Sequence, residues 1–409
     1  MRCARLVESG FFPLDNELQL QPGQLTPWLA ECLVRLGAWM PFQHSAEELK
    51  YFLHVTVSES KARRDTERAG AACVAVQEAE AARLQKELPP VPAGADRQLL
   101  SVDGAFVGLV GGDWAEVKTL SLGVINPPDA AGEVHTTDLS YFSRLSEANL
   151  FTQQAAVETH RRGVARSRQV CAVTDGAEWI QGFVDWHRGD AVRILDFYHA
   201  AEHVAAAGRA VLGEATPEFQ SWFAQQRHTL KTGNPDHVLA ALEQLAPARG
   251  TNEPLDMPDD VMGNSVLRDT LRYLRARRDK INYAQFQREG YPIGSGAGEA
   301  CHKYVIEARL KGTGMRWERE HVNPMAALRN LVCNNRWDEG WSIIASQLRR
   351  PTPRSHSTAS VPATPPDPPT PQAKLLPADF KLRPGIPWRN RPVGKARYLP
   401  SSERPIAKK

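Results

Sequence analysis

With 409 residues the chain is long enough for two or three domains, each with its own core. It is 42% hydrophobic and 24% charged, the composition of an ordinary soluble protein, and its net charge of +3 is unevenly spread: residues 351–409 hold 11 Lys/Arg against 3 Asp/Glu, which leaves −5 for residues 1–350. Six scattered cysteines without a C-x-x-C pair exclude a zinc ribbon or disulfide framework and point to a reducing cytoplasm. The opening MRCARLVESGFFPLD lacks the apolar core of a signal peptide, and no stretch approaches the roughly 18 consecutive apolar residues of a membrane span.

In chain order, LTPWLAECLVRLGAW has apolar positions at helical spacing, and SAEELKYFLHV follows with Ser45 as N-cap and Glu48 as its capping-box partner. A third helix opens at Thr56 or Ser58 and runs to PPVPAGAD, a linker. A polar, Arg-rich helix after a short turn suggests a helix-turn-helix; a plain helical hairpin fits equally, and both stay open. From Arg97 the pattern is that of strands: RQLLSVDGAFV and WAEVKTLSLGVI predict a β-meander of three short runs, separated by Gly-rich turns at 103–104 and 111–112. Residues 138–163 return to helical spacing. RQVCAVTDGA reads as a buried strand with a helix behind it, and AVRILDFYHAAEHV as a strand entering a helix; this alternation predicts parallel pairing in a mixed α/β sheet. EFQSWFAQQRHTL, HVLAALEQL and SVLRDTLRYLRARRDKINYAQF predict three helices of an all-α insertion, and MAALRNLVCNNRWDEGWSIIASQL one or two more. Beyond these, residues 351–409 contain 14 prolines and few large apolar residues, a composition that predicts disorder.

Chemistry concentrates in three places. Asp103 in LLSVDGAF and Asp175 in VCAVTDGA each end a strand before a glycine, and strand ends are where α/β sheets place their sites. Further on, the glycine-rich GYPIGSGAGEACHKYVIEARLKGTGMRW delivers Glu299 to a helix start. Three converging carboxylates repel one another unless a cation sits among them. Oxygen-only ligands suit two Mg²⁺ or Mn²⁺ ions, about 3.5–4 Å apart, clamping an in-line phosphoryl transfer.

These motifs resemble the DDE-type transposases of bacterial insertion sequences, in particular the ISKra group, over roughly residues 95–345. The resemblance implies a ribonuclease H-like fold interrupted by the helical insertion, with Asp103, Asp175 and Glu299 in the catalytic, metal-holding triad. It also implies cleavage and strand transfer on double-stranded DNA, at element ends and target, by an oligomer assembled on that DNA in the cytoplasmic nucleoid. Gly298 departs from the aliphatic residue that relatives usually carry, and the cysteine-rich segment that precedes their helical region is expected to be missing. The expected organisation is a helical region over 1–90, the core's first part over 96–212, the insertion over 213–289, the Glu-bearing and last core helices over 290–348, and the basic tail over 349–409.

Between Arg268 and Lys280 lie six Lys/Arg against two Asp. Arg268, Arg272 and Arg275 share a helical face, and Lys303, Arg309, Lys311, Arg316 and Trp317 follow Glu299; together they form the expected DNA track, with Trp317 stacking on a base. Two competing readings remain. One is an inactive, transposase-derived DNA-binding protein. The other is a zinc protease built on His199, Glu202 and His203, which spell H-x-x-E-H.

Overall fold

The computed structural model describes residues 25–130, 132–245, 262–294, 296 and 301–349. Glu299, Gly298 and the expected tail beyond Arg349 lie outside them. Strands Arg97–Gly108 (β1), Trp114–Ile125 (β2), Thr136–Arg144 (β3), Gln169–Thr174 (β4) and Val192–Leu195 (β5) form one mixed sheet in the order β3-β2-β1-β4-β5. β1, β2 and β3 pair antiparallel, while β4 is parallel to both β1 and β5. The chain is thus α/β, with a meander continued by parallel strands. Two boundaries differ from the sequence pattern. β1 does not turn at Asp103-Gly104 but continues to Gly108, because Ala105 and Val107 keep burying one face and Gly104 makes room for the Glu116 side chain; a Cβ there would lie 2.2 Å from Glu116 Oε1. Residues 136–144 form β3 rather than a helix start, its last residues being continuously buried.

Twelve α-helices of six or more residues are described: Pro27–Trp39 (α1), Phe42–Leu53 (α2), Glu59–Glu87 (α3), Ala148–Arg161 (α4), Glu178–Arg188 (α5), Phe197–Leu212 (α6), Pro217–Thr232 (α7), Pro235–Gln244 (α8), Met262–Arg275 (α9), Tyr283–Arg288 (α10), Arg319–Cys333 (α11) and Trp337–Arg349 (α12). Ser58 caps α3, its hydroxyl accepting from Lys61 N–H at 3.2 Å. Ser45 is not a cap: α2 starts one turn earlier, and the Ser45 hydroxyl is buried, donating to the Met40 and Pro41 carbonyls. The run expected to be a single helix over 265–286 breaks between α9 and α10 at the short 3₁₀ turn Arg278–Lys280.

One sheet face packs on α4 and α5 through Leu100, Val102, Leu120, Phe151, Ala172 and Phe183. The opposite face carries two cores side by side. Over β1 and β2, Ala105, Val107 and Val117 meet α1, α3, α11 and α12; over β4 and β5, Cys171, Val173 and Ile194 meet α6 to α10. Thr66 of α3 lies against Gly37 of α1, and Gly70 against α11, where a Cβ would sit 2.4 Å from the Pro324 carbonyl oxygen. The N-terminal helix α3 therefore packs closely against both α1 and the core helix α11. The outer edge of β3 is closed by α11: Asn323 and Asn334 each exchange two hydrogen bonds with the backbones of Leu145 and Tyr141, at 2.7–3.1 Å.

A π-helical segment, His302–Glu307, leads into Ala308–Leu310. Its irregular carbonyls find a partner in the fully buried Arg329, which donates Nε to Val305 O at 2.9 Å and Nη2 to Tyr304 O, and Nη1 to Ala38 O of α1 at 3.2 Å. Arg309 does the same for Gly37 O at 2.9 Å, its guanidinium within cation–π distance of both the Phe42 and Trp317 rings.

Candidate active site

The seam between the two cores holds the carboxylates. The β1/β4 ladder runs from Arg97↔Gln169 to Leu100↔Ala172, so Asp103 and Asp175 stand at the same height, each three residues past the last pair. By strand alternation they share the face of Ala105 and Val173. Asp103 lies within β1 rather than at its end, and its Oδ1 accepts from Gly104 N–H at 2.7 Å. Asp175 follows β4 directly, in a turn closed by Ala177 N–H donating to its Oδ1 at 2.9 Å. Gly176 makes that turn with φ +76°, and a Cβ there would lie 2.8 Å from Arg277 Nε and 3.0 Å from Tyr273 Oη. The insertion grips both parallel strand ends: Tyr273 donates to Asp175 O at 2.7 Å, Arg277 to Gly176 O at 2.8 Å, and Tyr283 to Leu195 O at 2.8 Å.

The Asp103 side chain is 44% exposed, yet its carboxyl is pushed up to about 7. Desolvation in the walled seam is the main cause, and the neighbouring Asp175 charge the next; Glu116 and Asp196 add to it. Asp196 ends β5 and caps α6, its Oδ1 accepting from His199 N–H at 2.7 Å. His302 closes the other side with Nε2 3.5 Å from Asp103 Oδ2. Both its ring nitrogens are buried without a well-formed hydrogen bond, and burial pushes it down to about 4, so it is neutral near pH 7. The chain segment leading toward Glu299 passes the same carboxylates: Phe197 N–H donates to Ile293 O at 2.9 Å, and a Cβ built on Gly294 would lie 3.9 Å from Asp196 Oδ2. Glu299 itself is outside the described residues, among which no three His, Cys, Asp or Glu side chains stand in an arrangement that holds a metal ion.

The residues of the expected DNA track fall into three groups. Lys303 and Arg316 are exposed, Arg316 lying over the Trp114 ring. Arg272 and Arg275 are exposed but paired with Asp269 and Glu243, Arg268 is half-buried, and Lys311 pairs with Glu307 at 2.6 Å. Arg309 and Trp317 are corrections to the track. They are 2% and 5% exposed and belong to the core; Arg309 donates to the Gly37 carbonyl near the end of α1, and Trp317 donates Nε1–H to Leu310 O while its backbone extends the end of β1. Of the H-x-x-E-H residues, His199 and His203 lie together with ring centroids 4.9 Å apart, but His203 also stacks on Tyr273 at 4.1 Å and Glu202 is exposed, so the three do not form a metal-holding group among the described residues.

Compared with known proteins, the chain matches no family model and no curated sequence. Two residues at the site stand outside the expected triad. Asp196 was legible as a third strand-end aspartate, in the run VRILDF. His302 could be suspected from its place three residues after Glu299, one helical turn on.

Proposed function

We propose that the chain is a metal-dependent DNA strand-transferase, a DDE-type transposase with a ribonuclease H-like core. The observation that carries this reading is the pair Asp103 and Asp175, held at equal height on neighbouring parallel strands and crowded enough to hold a proton near pH 7. The strand order β3-β2-β1-β4-β5, with the helical insertion after β5, supports the fold part of the reading. The site fits a hard divalent cation, since crowded carboxylates and a buried imidazole without a proper partner are relieved together by a hydrated ion. Asp103 and Asp175 would hold it, with Glu299 as the third carboxylate.

When bound, such ions activate the attacking oxygen and neutralise charge at the phosphate. The chain's residues do the rest. Asp103 must give up its proton to serve as a ligand, which sets a lower pH limit near its own titration. His302, neutral, holds the Asp103 side without adding charge. Tyr273 and Arg277 fix the Asp175 turn, so the two carboxylates keep their separation when DNA docks. Lys303 and Arg316 are the exposed cations near this end of the sheet that meet the DNA backbone.

Strand cleavage on a labelled duplex tests the reading. Wild type should cut with Mg²⁺ and not with chelator, and Asp175→Asn should abolish cutting while leaving DNA affinity equal or slightly higher. A protein that binds the duplex and never cuts it is the inactive DNA-binding relic.

A further inference from the structure

Beside the carboxylates lies a groove of about 710 Å³, between α7, the start of α6 and the segment Tyr291–Gly294. Its inner end abuts the site: a Cβ built on Gly294 would lie 3.5 Å from the Tyr198 ring and 3.9 Å from Asp196 Oδ2. One wall is a stripe on α7, where Arg227, His228 and Lys231 recur at helical spacing and are exposed. Among the described residues no ion pair engages Arg227 or Lys231, whereas Arg272 and Arg275 on the same insertion are paired with carboxylates. Among the described residues lining the groove, Glu133 on the lip is the one carboxylate, against Arg227, His228 and Lys231. The Tyr198 ring, which also lines the groove, is 61% exposed and so open to a ligand.

A cationic wall and an open aromatic ring in one groove suit unpaired nucleotides: phosphates pair with the cations and a base stacks on the ring. An intact duplex keeps its bases stacked on one another and cannot offer one to Tyr198. The volume falls within the range of about 300–1,000 Å³ that takes ligands the size of one or two nucleotides. Resting on the strand-transfer reading, we propose that this groove holds a short unpaired DNA segment adjoining the scissile phosphate, with Arg227 and Lys231 on its backbone and Tyr198 under a base.

The test uses the full chain and a fluorescent oligothymidylate in chelator, so binding is read without catalysis. Wild type should bind it, and the double variant Arg227→Ala/Lys231→Ala should lower the salt slope by about 1.4, two contacts at about 0.7 each on single strands. Tyr198→Ala should weaken binding about tenfold, and Tyr198→Phe, which keeps the ring, should restore it. The exposed positions leave folding intact, checked by unchanged unfolding midpoints. Wild type that ignores the oligonucleotide, or variants that bind like wild type, would overturn the groove assignment even if the duplex is cut. Variants that lose single-strand binding in a protein that never cuts DNA would support the groove and count against the strand-transfer reading instead.

Discussion

Arg309 and Arg329, behind the π-helical segment, are buried and give their donors to the main-chain carbonyls of Gly37, Ala38, Tyr304 and Val305. Arg272, Arg275 and Arg278, on the insertion, are exposed and meet the carboxylates of Asp269, Glu243 and Asp236. The residue type is the same. What differs is the neighbouring backbone. Where a helix end or a π-turn is buried, its carbonyls must be satisfied, and the planar fork of a guanidinium reaches several at once. On a solvated helix the same group forms an exchangeable surface pair, free to be redirected to a phosphate.

Breaking the buried side should cost most. Arg329→Met strips three buried carbonyls of their donor and should destabilise the protein by about 3 kcal/mol or more in urea unfolding. Arg329→Lys should rescue little, since one ammonium cannot span three acceptors; a loss below about 1 kcal/mol would break the comparison. Next comes the joint between insertion and core. Gly176→Ala forces a side chain into positive φ against Arg277 and Tyr273 and should lower stability by about 1–2 kcal/mol, read by thermal unfolding.

The third test concerns the seam that divides the two regions. In the fold Asp103 keeps its proton to about pH 7, whereas in the unfolded chain it loses it in the ordinary carboxylate range. Below that range both states are protonated; above it the folded state binds more protons, so stability declines as pH rises through about 7. Asp103→Asn removes this decline, and its stability relative to wild type should grow from about pH 4 to about pH 7 in chelator. His302 trends the other way but is present in both proteins, so the difference isolates Asp103. Mg²⁺, binding the ionised wild type, should shrink the gap; a difference flat with pH removes the electrostatic basis of the site. The smallest effect is expected on the solvated side: Arg272→Ala should change stability by no more than about 0.5 kcal/mol.

Much of the fold was legible because periodicity survives in it. VCAVT, buried on both faces, reads as a central parallel strand, and Ser58 caps the helix it precedes. The errors have local causes. Gly104 looks like a turn but is a strand position vacated for Glu116, a contact across the sheet that no window of neighbouring residues contains. Asp103 and Asp175 were legible as strand aspartates next to glycine; their shared height depends on a ladder between residues some seventy positions apart. The fate of Arg309 and Trp317 was hidden for the same reason, since the Gly37 carbonyl that claims Arg309 lies 272 residues upstream.

The asparagine clamp on β3 also sets a clock. Tyr141 and Leu145 wait for partners 193 and 178 residues further along the chain. At about 5–20 residues per second, a ribosome leaves that strand edge open for roughly 10–40 s. During synthesis the half-built sheet therefore presents an unpaired edge, the kind of surface that is prone to misassembly until it is covered. Variants that weaken Asn323 or Asn334 should show their defect first as a fall in soluble yield at high expression rate, before any change in the activity of the protein that does fold.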